Sequence, residues 1–439
     1  MQLNRREAFR GLVVGTLATA IPAVPHATAG GAAGELTTFQ LANGMRTHCI
    51  SNGSGYIVAT LVLRSALIQH DGLAHICEHT SCSGAAGDMS AADVAAMFKD
   101  CVQDGNASTE AGALRWHATF LPDYLPQVMH LLAAVTLDQR FDLETVEAQS
   151  RVVKEELYLE KYDAERRAQI RFDRELFGHA HPYAKETLAE ELALCKTPPE
   201  RLAAMLRQFA DTVRLPANMD LFLVGSIDPE DARREVTQHF GRYSYAAGPM
   251  LDIPQVSVTR AYRPMTEASR QLQRPMSDLK LAWNTGVNVK SESARVLVAL
   301  GSYMSTALFD ELREKDGDTY TPEVSYEPDA CSGVFRVGIA SSKDPRRVEK
   351  RIFDVIARMK AEIDGKEIKR QRDRMVLKRC RDAKENQVVL DRLVERTLEG
   401  AAVDDLAAEH VTKDDLLAAA RTYLPDHRHA YVRLALRGQ

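Results

Sequence analysis

The sequence lacks a strong charge bias: 56 Lys and Arg against 61 Asp and Glu leave a formal net charge of -5. That balance offers no electrostatic footprint for nucleic acid. A GxxxxGK[ST] phosphate loop is missing, as is any basic stripe interleaved with aromatics, so neither a nucleotide cradle nor an RNA platform is indicated. Cysteine is scarce and odd in number: Cys49, Cys77, Cys82, Cys101, Cys195, Cys331 and Cys380. At least one thiol must stay unpaired, the spacings are not those of a disulfide framework, and most are expected as small core residues. The apolar run at residues 12–24 is interrupted by Pro22 and followed by Pro25, and is short for a stable membrane span.

What is present suits a folded two-domain protein. A chain of 439 residues exceeds one ordinary core and divides naturally into two units of roughly 200 residues. The first residues differ in kind: Arg5-Arg6, then the apolar run, then small residues around Ala27, Thr28 and Ala29. This order reads as an export signal, and the paired arginines resemble a twin-arginine signal. Residues 1–29 are therefore expected to be removed, and the mature protein to be periplasmic or exported. Export after folding in a reducing compartment would leave free thiols.

An internal repeat is expected. Leu215-Pro216-Ala217-Asn218 leads into the apolar run 221–224, and 209 residues later Leu424-Pro425-Asp426-His427 leads into 431–434. Each copy follows an amphipathic helical stretch (199–210 and 413–420) and reads as a closing strand, so the pattern predicts duplicated domains. Strands are predicted at 37–41, 46–50, 57–63, 115–121 and 334–340. Helices are predicted around residue 75, at 90–101 with Ser90 as N-cap, at 142–170 as one or two pieces, and at 345–363. Strands and helices mix without strict alternation, which gives an α+β fold of two homologous domains, each an antiparallel-rich sheet flanked by helices. The Gly- and Pro-containing stretch 245–254 is the best boundary, giving an expected first domain at 30–248 and a second at 249–439.

Chemistry concentrates at His75-Ile76-Cys77-Glu78-His79. In a helix the two imidazoles, four residues apart, reach one metal ion, and Glu78, three residues after His75, reaches a water beside it. This order is the inverzincin signature of metallopeptidases. A catalytic zinc takes three protein ligands and keeps one open position. Spacing alone does not choose the third: Asp88, Asp93, Asp100, Asp104, Glu110 and the glutamates at 144, 147, 155 and 156 all qualify chemically, with a solvated charged face as the default for most of the helical ones. Cys82 could compete as a ligand but reads better as a packed thiol, while Cys77, roughly 200° round the helix from His75, should point away. His179, His181, His427 and His429 lack ligand spacing and read as surface or turn residues.

Gly72-Leu73-Ala74 before the pentapeptide and Gly105-Asn106-Ala107-Ser108-Thr109 after it resemble the surroundings of the site in the pitrilysin/insulinase family of zinc peptidases (family M16). His181-Pro182-Tyr183, the segment 218–225, Ile227-Asp228 and Phe240-Gly241 extend the resemblance over most of residues 35–245. The chain is similar to the shorter bacterial members that resemble mitochondrial processing peptidase subunits. The resemblance implies a third ligand 77 positions beyond His79, which is Glu156, set in Arg151-Val152-Val153-Lys154-Glu155-Glu156-Leu157. One departure stands out: where the family commonly carries a second glutamate seven residues before the ligand, this chain has Gln149. Gln keeps a hydrogen bond but loses a charge, so tuning of the ligands should weaken.

The second half has no counterpart of the pentapeptide and is expected not to bind zinc. It carries Arg313 and, seven residues later, Tyr320, the pair that family members with complete sites use on substrate. The resemblance assigns Tyr320 to the developing oxyanion, Arg313 to a substrate carbonyl and Asn106 to the substrate backbone, aligned as an added strand. Arg313 pairing with Glu314 or Asp316, and Asn106 as a turn residue, are the structural alternatives. Members of this length resemble half of a clam-shaped chamber, which implies a homodimer, with a heterodimer of related subunits as the alternative. The expectation is a zinc endopeptidase with one Zn2+ per chain, held by His75, His79 and Glu156, with Glu78 as general base toward peptides or unfolded polypeptides. The rival expectation is a non-catalytic structural or assembly subunit of the same fold.

Overall fold

The computed structural model describes residues 34–68, 72–184, 187–269, 272, 276–315, 322–342, 344–399, 410–426 and 431–438. The expected export signal, Tyr320, His427 and His429 lie outside the described residues.

The first half runs β1 (Leu36–Gln40), β2 (Arg46–Ser51), β3 (Ile57–Arg64), α1 (Leu73–Ser81), α2 (Ala91–Cys101), β4 (Asp104–Glu110), β5 (Ala113–Phe120), α3 (Leu125–Leu137), α4 (Leu143–Tyr162), α5 (Ala164–Phe177), α6 (Leu188–Leu194), α7 (Pro199–Val213), β6 (Met219–Gly225) and α8 (Pro229–Phe240). The second half runs β7 (Arg263–Ser269), β8 (Ser277–Asn284), α9 (Glu292–Phe309), β9 (Pro322–Pro328), β10 (Gly333–Ser342), α10 (Pro345–Ala361), α11 (Gly365–Asp382), α12 (Asn386–Glu399), α13 (Lys413–Tyr423) and β11 (Val432–Gly438).

Two sheets of matching topology result. The first has the order β1-β2-β6-β3-β5-β4 and the second β7-β11-β8-β10-β9. In each, one pair is parallel (β2 with β6, β7 with β11) and the others are antiparallel. The late strands β6 and β11, which follow the Leu-Pro turns, each insert between an early strand and the hairpin-like remainder of their sheet. This is the mixed helix-and-sheet fold that the patterning predicts.

The alternation along β5 sets the two faces of the first sheet. Leu114, Trp116, Ala118 and Phe120 point into the main core with Ile76 and Cys77 of α1, while Arg115, His117 and Thr119 point the other way. The second face would be half-exposed if the half stood alone. It is covered by α12 from the other half: Val389, Leu390, Leu393 and Val394 pack on Val58, Val62, Phe222 and Val224. The exchange is reciprocal, since α5 of the first half lays Ala168, Phe172 and Leu176 on Ala282, Val334, Val432, Leu434 and Leu436 of the second sheet. Each half thus completes the other's apolar burial, a contribution of about 25 cal/mol per Å2 of apolar surface removed from water.

The long charged stretch after residue 142 divides at Asp163, whose side chain accepts from the backbone N–H groups of Glu165 and Arg166 and so starts α5 afresh. Ser90 caps α2 through a capping box with Asp93, as its position predicts. Strands β4, β7, β8 and β9 go beyond the sequence prediction.

Candidate metal centre

Helix α1 begins at Gly72, which has φ +83°, a left-handed conformation that favours glycine. A Cβ there would stand 2.7 Å from Cγ and 3.0 Å from Cα of Glu191, so the absent side chain is also what lets α6 approach. The far end of α1 is pinned by side chains: Trp116 Nε1 donates to Ser81 Oγ at 2.9 Å, and Ser81 Oγ donates to the Glu78 carbonyl at 2.6 Å. The helix that carries the pentapeptide is therefore fixed at both ends and buried along nearly its whole length.

Two other helices bring carboxylates to it. Helix α4 packs on α1, with Val146, Val153 and Leu157 in the core that Ile76 and Cys77 of α1 also enter, and Glu156 comes to lie beside the histidines. Glu156 Oε2 lies 3.3 Å from His79 Nε2 and 3.7 Å from His75 Nε2. One ligand atom from each of these three residues falls within 4.8 Å of the others. Three donors held about 2.0–2.2 Å from a tetrahedral zinc stand roughly 3.4 Å apart, so the set fits that ion. Burial pulls the Glu156 carboxyl upward, but the His75 and His79 rings outweigh it and hold the group well below the ordinary carboxylate range. A ligand must be deprotonated, and Glu156 meets that requirement.

Helix α6 supplies the second carboxylate. Glu191 is 3% exposed, and its Oε2 lies 2.8 Å from His75 Nδ1, which donates to it. That hydrogen bond fixes the tautomer in which Nε2 is free to face the metal position. Thr187 donates to the other oxygen of Glu191. No sequence spacing marked Glu191; the one trace of it is Gly72, whose missing Cβ makes room for it. Gln149 stands half-buried two turns before Glu156 on α4.

Glu78 is buried, and its Oε2 accepts a hydrogen bond of 2.8 Å from Thr109 Oγ1 on β4. The register explains why Thr109 is the partner. Thr109 and Ala107 lie opposite Leu114 and Trp116 on the α1 side of the sheet, whereas Asn106 lies opposite His117 and points to the other side. Strand β4 pairs only with β5 among the described residues, so its outer edge is open for an added strand.

Arg313 sits on a π-helical turn, Asp310–Lys315, with its guanidinium 4.9 Å from the Phe309 ring. Cys77 points away from the histidines, toward Arg214 at 3.1 Å. Cys82 is the C-cap residue of α1 and stands outside the ligand cluster. None of the seven cysteines forms a disulfide among the described residues. His181 is a buried turn residue, the turn alternative of its reading: its Nε2 donates to the Pro254 carbonyl at 2.9 Å and its Nδ1 accepts from the Tyr183 amide. No helix among the described residues is long and apolar enough to cross a membrane.

The family profile described as Insulinase (Peptidase family M16) matches residues 67–193, and that described as Peptidase M16 inactive domain matches residues 202–375. The chain is 25% identical over 301 residues to a protein described as an uncharacterized zinc protease from Mycobacterium tuberculosis; the match takes in 65% of this chain and 66% of that one, just under two thirds of its length. A protease structure from Helicobacter pylori superposes with a TM-score of 0.76 at 16% identity, over 92% of this chain and 100% of the other. The periplasmic protease PqqL of Escherichia coli superposes with a TM-score of 0.73 at 16% identity, but this chain covers only 47% of its length. With both profiles matched in order across residues 67–375, the chain belongs to peptidase family M16.

Proposed function

We propose that the protein is a zinc-dependent endopeptidase that hydrolyses peptides or unfolded polypeptides. The observation that carries this reading is the convergence of His75, His79 and Glu156 from two helices, with Glu78 one helical turn from His75. When bound there, zinc lowers the pKa of water and polarises the scissile carbonyl. Glu78 takes the proton of the attacking water and passes it to the leaving amine. The Thr109 hydroxyl occupies one carboxylate oxygen of Glu78, which orients the other for that transfer. Glu191 holds the His75 ring in the ligating tautomer. The open edge of β4 receives the substrate backbone as an added strand, with Asn106 on its rim.

The active unit in this proposal is a dimer. PqqL is about twice the length that this chain covers, which supports a chamber assembled from two such halves. Arg313 and Tyr320 would then serve the partner's metal centre, Tyr320 toward the oxyanion and Arg313 toward a substrate carbonyl. The N-terminal sequence supports export before assembly.

Metal analysis and peptide cleavage test the reading together. The expected result is one zinc per chain, cleavage of an unstructured fluorogenic peptide, loss of cleavage with a chelator and recovery on adding zinc. A metal-loaded chain that leaves the peptide intact would favour the assembly-subunit alternative.

A further inference from the structure

The three proposed ligands are not equally shielded. The side chains of His75 and His79 are 7% and 5% exposed, whereas that of Glu156 is 38% exposed. Solvent therefore reaches the metal position along the Glu156 flank, and a substrate carbonyl bound for that position comes in over the outer surface of α4. The surface there is apolar. Leu159 is 75% exposed, more than any other large apolar residue among those described, and Val152 and Tyr162 are exposed as well. None of the three joins a core cluster among the described residues.

Their placement follows from the helical repeat. Val152 precedes Glu156 by four residues and Leu159 follows it by three, which sets them roughly 40° and 60° round α4 from that ligand, both on the same side of it. Val153, Leu157 and Glu160 occupy the other side and are buried. Tyr162 carries the exposed stripe outward by one further turn. Its ring stacks on Tyr158 with centroids 6.4 Å apart, and the Lys161 ammonium stands 5.7 Å from its centroid, so the phenol is held along the helix. Glu155 interrupts the stripe but lies farther from the ligand, roughly 100° round the helix. An exposed apolar ridge beside the open flank of a metal centre gains from any apolar group that covers it.

We propose that Val152 and Leu159 form a specificity subsite that receives an apolar side chain of the substrate beside the scissile bond, with Tyr162 bounding its outer end. The inference rests on the peptidase reading and adds the substrate class to it: peptides with an aliphatic or aromatic residue next to the bond that is cut. Neither residue is a ligand, so their loss should change which peptides bind and leave the metal in place.

Fluorescence anisotropy on the zinc-loaded Glu78→Gln chain reads the subsite through binding rather than cleavage. The probes are two fluorescein-labelled Gly/Ser peptides, identical except for a central Leu-Leu or Gln-Gln pair. The Leu-Leu peptide is expected to bind about tenfold tighter, close to the lower end of what burying an aliphatic side chain contributes. Adding Val152→Gln and Leu159→Gln, at exposed helical positions that suit glutamine, should bring that ratio to about one with zinc content unchanged. Leu377→Gln, at a comparably exposed leucine on α11, should leave the ratio as it was. Equal affinity for the two peptides, no binding of either, or a ratio that survives the double substitution would overturn the proposal. So would a change of the double variant from dimer to monomer in sedimentation with the ratio intact, which would assign the ridge to the contact between copies. Zinc content and wild-type cleavage report on the peptidase reading, so the two can fail separately.

Discussion

Glu191 accepts a hydrogen bond of 2.8 Å from Nδ1 of His75, across 116 residues of sequence. This contact makes α6 part of the candidate metal centre although it supplies none of the proposed ligands. Removing the carboxylate with Glu191→Ala should weaken zinc binding by roughly 10–100-fold, the usual effect of losing a group that orients a ligand. Competition with a zinc-binding dye would measure it, with Glu191→Gln as the milder control. Equal zinc affinity in the wild type and Glu191→Ala would show that His75 is oriented by something else.

Thr109 touches the proposed base and none of the three ligands. Thr109→Val keeps the volume and removes the 2.8 Å hydrogen bond to Glu78. Turnover is expected to fall by about tenfold, a factor matching one hydrogen bond to a charged group. Zinc content should stay at the wild-type level. A parallel loss of metal would mean that Thr109 supports the helix rather than the base.

A dimeric site can be tested by mixing two inactive chains. One carries Arg313→Ala with an intact metal centre; the other carries Glu78→Gln with Arg313 intact. If the arginine acts on the partner's site, mixed dimers hold one complete site, and random two-fold pairing restores about a quarter of wild-type activity. No recovery after subunit exchange would place Arg313 in its own chain's site or outside the reaction.

The contact between α12 and the first sheet should be sensitive to pH. Burial first, and then the neighbouring Asp391, push the Glu395 carboxyl up to about 7 from its ordinary 4.5, while Arg115 and Arg392 act the other way. Across the interface, burial lowers the pKa of His117 against the opposing pull of Asp104 and Asp391. Because the folded state favours protonated Glu395, its contribution to stability is fully present below about pH 4.5 and is lost as pH rises through 7. Glu395→Gln mimics the protonated form, so its Tm should exceed that of the wild type near pH 8 and match it near pH 4. The same difference at both values would contradict this account.

The pentapeptide of the candidate metal centre was legible because its information is local: two histidines four apart on one helix converge whatever surrounds them. Glu156 needed the family spacing, since the docking of α4 on α1 depends on packing between distant segments. Glu191 was not legible, because α6 reaches α1 only through the folded chain and leaves one local trace, Gly72. Strand β4 escaped because Asp104, Gly105, Asn106 and Ser108 have low strand propensity and an edge strand has a partner on one side only. The exchange of α5 and α12 was hidden for a related reason. An amphipathic helix declares that it buries a face, but not which sheet receives it.

In the proposed reaction Glu78 acts as the base beside a zinc held by His75, His79 and Glu156. Glu78→Gln is nearly isosteric and leaves all three ligands in place, so zinc stoichiometry and peptide cleavage should be measured on the same preparation. One zinc per chain is expected, with cleavage reduced by at least about 100-fold, the contribution of a positioned general base. Cleavage by Glu78→Gln at the wild-type rate would contradict it.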